Sequence, residues 1–121
     1  MNWTLLLIIA AVFVVVFTIK GAGQISVKDA QAHLKNGALV IDVRTPGEFN
    51  SGHLPGAINL PLDQIETGLP QQVSDKNKVL LLHCQSGVRS GMAKSRLNKL
   101  GYTNAFNLGS YGRAEKIVKG P

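Results

Sequence analysis

The single cysteine of this 121-residue chain sits in His83-Cys84-Gln85-Ser86-Gly87-Val88-Arg89-Ser90, a spacing that suits nucleophilic chemistry. Gly87 permits a backbone turn that side chains would block. The N–H groups from Gln85 to Ser90 can then converge on one point, forming an anion nest at a helix start. Arg89 adds a permanent positive charge. A thiolate, or a persulfide carried on it, would be stabilised at the centre of such a nest, and the thiol pKa should fall. The plainer fate of a lone cysteine is burial as a small apolar residue. The Cys-x-x-Gly-x-Arg spacing at a strand-to-helix junction argues instead for catalysis by Cys84. One cysteine excludes an intramolecular disulfide framework and any cysteine-rich metal site.

The elements around this loop follow from patterning. Val79-Leu80-Leu81-Leu82 is a continuous aliphatic run, expected as a strand buried on both faces that carries Cys84 at its carboxyl end. After the loop, Val88, Met92, Ala93, Leu97 and Leu100 recur at helical spacing, with Gly101 as a terminator. Upstream, Ile25 starts a brief strand, and Ser26 caps a helix that ends at Asn36-Gly37. Ala38 to Val43 is a second buried strand, followed by a turn at Thr45-Pro46-Gly47 and a helical turn at Glu48-Phe49-Asn50. Ala57 to Leu60 is a short strand. Leu62 to Leu69 is a helix that Pro70 should stop. Thr103 to Leu108 gives the last strand and Ala114 to Val118 a final short helix. Strands alternate with helices and no hairpin signature occurs, so the fold class is α/β with a mainly parallel sheet covered on both faces.

Residues 1–23 read as a separate unit. No charged residue lies between Trp3 and Ile19, a length at the low edge of the about 17–25 residues a spanning helix needs. Trp3 and Lys20 would serve as interfacial anchors. The competing reading is a cleaved signal peptide, with Gly21-Ala22-Gly23 as cleavage site; the lack of a basic n-region speaks against it. The expectation is a single-pass anchor over residues 3–19 in a bacterial inner membrane, followed by one domain over residues 24–121. The trailing lysines favour a cytoplasmic domain, with the periplasm as alternative. The chain carries 13 basic against 7 acidic side chains. That surplus suits small anionic substrates or anionic head groups, and the absence of basic runs or aromatic-basic interleaving argues against nucleic acid.

Taken together, Ile41-Asp42-Val43-Arg44-Thr45-Pro46-Gly47-Glu48-Phe49, Gly52-His53-Leu54-Pro55-Gly56-Ala57-Ile58-Asn59-Leu60-Pro61, the Cys84 loop and Leu100-Gly101-Tyr102 resemble a single-domain rhodanese. The resemblance covers Ile25 to Leu108 and is similar to small bacterial rhodaneses of the phage-shock type, which begin with an export or membrane segment. It implies a five-stranded parallel sheet and a sulfurtransferase that moves a sulfane sulfur from thiosulfate or a similar donor. Cys84 would carry the persulfide, and the acceptor would be a thiol, a cyanide-like molecule or an unidentified protein. No metal or organic cofactor is implied. Gln85, Ser86, Gly87, Val88, Arg89 and Ser90 would hold the substrate. Asp42 would lie behind the loop, with Arg44 and Glu48 as an ion pair ordering the neighbouring segment. His53 matches the family pattern as a structural residue, and His83 should point away from the loop. The family's Gly-Gly pair after the last strand reads Gly109-Ser110 here, which alters that wall of the pocket.

Two rivals remain. Cysteine phosphatases and arsenate reductases need five residues between cysteine and arginine, and Gln85 to Val88 supply four. Non-catalytic rhodanese-like binding modules typically lack the cysteine that this chain keeps.

Overall fold

The computed structural model describes residues 2–11 and 23–120. Residues 3–11 form helix α1. There follow α2 (Val27–Lys35), β1 (Leu39–Asp42), α3 (Pro46–Asn50), β2 (Ile58–Asn59), a 3-10 turn (Leu62–Gln64) and α4 (Ile65–Gln72). The chain then runs through β3 (Leu80–His83), α5 (Val88–Lys99), β4 (Ala105–Gly109) and α6 (Tyr111–Lys119).

All strand pairs are parallel, in the spatial order β2-β1-β3-β4. The aliphatic runs explain the central pair: Ile41, Leu80, Leu81 and Leu82 are wholly buried, each worth about 1.5–3 kcal/mol of transfer free energy. Alternate side chains feed two cores. Ile41, Leu80, Leu82 and Cys84 pack with Leu69, Ala93 and Leu97 from α4 and α5. Val40, Leu81 and Leu108 pack with Ala30, Ala114 and Ile117 from α2 and α6. The chain leaves β1 toward β2 on one side and returns to β3 on the other. The switch point of the sheet therefore lies between the carboxyl ends of β1 and β3, where open α/β sheets form their crevice.

The fifth strand expected at Ile25 is reduced to one residue pair. Gln24 bridges Asn107 in parallel, and the Ile25 N–H donates to the Asn107 carbonyl at 2.9 Å. Ser26 then caps α2 by accepting from the Asp29 N–H at 3.1 Å, which turns the chain away from the sheet. Among the described residues the sheet has four strands.

Two helix boundaries also differ from expectation. Pro70 lies inside α4; the buried Ile65 and Leu69 hold the helix through it, and the Val73 N–H closes on the Leu69 carbonyl at 2.8 Å. The last helix starts at Tyr111, because Ser110 caps it by accepting from the Arg113 N–H at 3.2 Å.

Of the expected anchor over residues 3–19, the part from residue 12 lies outside the described residues. Among the described residues no helix is long and apolar enough to cross a membrane.

Candidate active site

Cys84 follows directly on β3 and is wholly buried. Its N–H donates to the Gly109 carbonyl of β4 at 3.3 Å, which fixes where the loop leaves the sheet. Gly87 takes φ +94°, and a Cβ there would lie 3.3 Å from both Gln24 Nε2 and the Gly109 carbonyl carbon. Only glycine fits that turn without strain. Gly87 is also the N-cap of α5, with no side-chain cap, so the helix-start N–H groups are free for an anion. The thiol takes them. Gly87 N–H donates to Cys84 Sγ at 3.0 Å and Ser90 Oγ lies 3.5 Å from it. Burial pushes the Cys84 thiol up, but hydrogen bonding from Ser90, Gly87 and Ser86 outweighs it. The net direction is down, toward thiolate.

One residue that sequence reasoning missed holds this arrangement. Asn107 Oδ1 accepts from Ser90 Oγ at 2.7 Å and from the Gly109 N–H at 2.9 Å, while its Nδ2 donates to the Gly87 carbonyl at 3.1 Å. One buried amide thus ties β4, the Cys84 loop and α5 together. The register between β3 and β4 slips at this level: Leu82 opposes Asn107 and His83 opposes Gly109, an irregularity of the kind that re-aims side chains beside active sites. The available signal was a polar side chain within the apolar stretch Ala105 to Leu108.

The charged residues near the loop pair differently from expectation. Arg44 does not pair with Glu48. Its Nε and Nη2 donate to the buried Asp42 carboxylate, Nη2 at 2.8 Å from Oδ2, and Nη2 also donates to the Gly52 carbonyl at 2.8 Å. Asp42 and Arg44 both lie at the end of β1, so the short reach favours a closed local pair. The Arg44 guanidinium also stacks 4.7 Å from the Tyr111 ring centroid. Glu48 belongs instead to Arg89: Nη1 donates to Oε1 at 2.7 Å and Nη2 to Oε2 at 3.0 Å. Thr45 and Glu48 form a capping box at the start of α3, which aims the carboxylate at α5. The Arg89 hydrogen bond, then the Thr45 N–H, holds the Glu48 carboxyl down to about 2.

His83 is buried on the face of β3 opposite Cys84, with its Nε2 at 3.7 Å from Asp42 Oδ2 and its ring edge-on to Tyr111. Burial pushes its pKa down, against the opposing pull of Asp42. His53 stacks on Phe49, and its Nδ1 lies 2.9 Å from the Phe49 carbonyl oxygen. Of the loop residues, Gln85, Ser86 and Val88 are exposed, Arg89 is partly exposed, and Gly87 and Ser90 are buried. A cleft of about 550 Å³ flanks the loop, lined by Gln24, Ser86, Gly87, Val88, Met92 and Asn107 among others.

The family model described as Rhodanese-like domain matches residues 26–112. The chain is 41% identical over 69 residues to thiosulfate sulfurtransferase PspE of Escherichia coli, covering 57% of this chain and 66% of that one. It is 32% identical over 100 residues to human thiosulfate:glutathione sulfurtransferase, covering 72% of this chain and 87% of that one. Among solved structures, a rhodanese with anions from E. coli superposes with a TM-score of 0.61 at 36% identity, covering 64% of this chain and 91% of that one. The matches to the first three curated relatives span 66%, 55% and 64% of their lengths.

Proposed function

Because the chain belongs to the rhodanese-like domain family, we propose that residues 24–121 are a rhodanese-type sulfurtransferase working through a Cys84 persulfide. The observation that carries this reading is the thiol itself, buried under the Gly87 N–H at 3.0 Å and biased toward thiolate. In the first half-reaction the Cys84 thiolate attacks the outer sulfur of thiosulfate. The new S–S bond forms as the donor S–S bond breaks, and sulfite leaves with the electron pair. In the second, an acceptor thiolate or cyanide attacks the terminal persulfide sulfur, and Cys84 departs again as thiolate. The converging N–H groups suit both charged states of the sulfur. Ser86, Gly87 and Ser90 stabilise the anion, and Asn107 keeps them in place.

Two features support sulfur over phosphate. The loop from Gln85 to Val88 is one residue shorter than a phosphate-binding loop requires, and both sulfurtransferases named above carry thiosulfate in their names. The human relative's name also supports a thiol acceptor. A non-catalytic binding module would have no use for a thiol so equipped with donors.

Arg89 lies close enough to Cys84 for a thiolate there to raise the guanidinium pKa, although Glu48 is the larger cause. Arg89→Ala should therefore raise the KM for thiosulfate several-fold while sparing reaction with an uncharged persulfide donor, as read by steady-state kinetics with each. Equal KM values in variant and parent would remove Arg89 from donor binding.

Attachment to a bacterial inner membrane through residues 3–19, with the domain on the cytoplasmic side, belongs to the same reading. The exposed Trp3, Leu7, Ile8 and Ile9 support it. The full chain should stay with the membrane fraction after an alkaline wash and be protected from protease in intact spheroplasts. Release by the wash would refute the anchor, and digestion would put the domain in the periplasm.

A further inference from the structure

We propose that Glu48 is a built-in competitor for Arg89, so that an anionic sulfur donor binds by displacing its carboxylate. The proposal rests on the sulfur-transfer reading above and concerns how the donor is selected. The Glu48–Arg89 contact is a two-pronged fork at 2.7 and 3.0 Å, the geometry that a guanidinium offers to any small oxyanion. The two side chains are 34% and 32% exposed, so a dissolved anion can reach the pair. Arg89 is the second residue of α5, whose N-cap Gly87 donates its N–H to Cys84 Sγ at 3.0 Å, and a charge on Cys84 adds to the upward shift of the same guanidinium. One cation is thus claimed by a resident carboxylate and needed by an incoming anion.

The carboxylate cannot vacate by protonation, since its pKa is held to about 2. It can vacate by exchange. Once released, Glu48 Oε1 keeps its contacts with the Thr45 N–H at 3.2 Å and Thr45 Oγ1 at 3.1 Å. Arg44 also feels the Glu48 charge, but its guanidinium is already committed to Asp42 and the Gly52 carbonyl. No second exchange follows. A donor must bring enough negative charge to beat a carboxylate, which favours a dianion over a neutral sulfur compound.

A purely structural Glu48, tying α3 to α5, predicts the opposite outcome when its charge is removed. Glu48→Gln preserves the capping box and weakens only the claim on Arg89. In the full chain, alkylation of Cys84 by anionic iodoacetate should accelerate relative to neutral iodoacetamide by about two- to five-fold, the scale of an exposed ion pair. The KM for thiosulfate should fall by a similar factor. Arg89→Ala should move the alkylation ratio the other way. Glu48→Met, uncharged and of similar length, must shift the ratio in the same direction as Glu48→Gln. An unchanged or lower ratio in these variants would overturn the proposal. The ratio needs no turnover, so it is judged even if sulfur transfer itself is not found. Conversely, normal transfer with an unmoved ratio sinks the competitor role alone.

Discussion

Cys84→Ser is expected to abolish sulfur transfer, leaving no turnover above the uncatalysed rate, while the domain still folds. In the proposed mechanism the Cys84 thiolate is the nucleophile, and a hydroxyl in the same nest cannot ionise usefully at neutral pH. The hydrogen bonding from Ser90, Gly87 and Ser86 that lowers the thiol pKa does not bring a serine into that range. The fold has little reason to fail. The substituted oxygen can still accept from the Gly87 N–H, and the neighbouring core of Leu80, Leu82, Ala93 and Leu97 loses one sulfur atom's contacts. Stability should change by no more than about 1 kcal/mol, as checked by thermal unfolding alongside a cyanolysis assay. Residual transfer at a tenth of the parent rate would mean that another group carries the sulfur.

Asp42→Ala is expected to produce the largest loss of stability, about 3–5 kcal/mol. The side chains of Asp42 and Arg44 are 0% and 6% exposed. Removing the carboxylate strands a buried guanidinium that retains the Gly52 carbonyl and the Tyr111 face. It also removes the acceptor that fixes the Arg44 N–H at 2.9 Å, at the point where β1 turns toward α3. Because α3 positions Glu48, which in turn grips Arg89, activity should decline with stability. Replacing Asp42 and Arg44 together with leucines should recover part of the loss, since the stranded charge is then absent. Urea unfolding of the three proteins separates these outcomes. A single Asp42→Ala loss below about 1 kcal/mol would show that the pair is not the keystone of this edge.

The setting of Cys84 was legible in the sequence because its surroundings are local. Leu80 to His83, the Cys-x-x-Gly-x-Arg spacing and the helical pattern after Val88 all lie within one stretch, and β3, the loop and α5 form there. The parallel α/β arrangement was legible for the same reason, from alternating strand and helix patterns. Pairings set by tertiary geometry were not legible. Glu48 is four residues from Arg44 and 41 from Arg89, and proximity in the chain suggested the wrong partner. The capping box at Thr45, together with the closed Asp42–Arg44 pair, decides the matter in space. Asn107 escaped notice because its role depends on a register slip against β3 that no local pattern reveals. The expected first strand shrank to a single bridge because the Ser26 cap starts α2 immediately. Ser110, seen in sequence as a departure from Gly-Gly, becomes the N-cap of α6 and brings the Tyr111 N–H within 3.2 Å of the Gln85 carbonyl.

The most direct test is the mass of the protein after sulfur loading. The full chain is incubated with thiosulfate, freed of small molecules, and measured intact and as peptides. The expected result is the added mass of one sulfur atom on the peptide containing Cys84, removed again by cyanide or a thiol and absent from Cys84→Ser. An unmodified Cys84 under conditions that load a known rhodanese, or sulfur found on another residue, would contradict the persulfide mechanism.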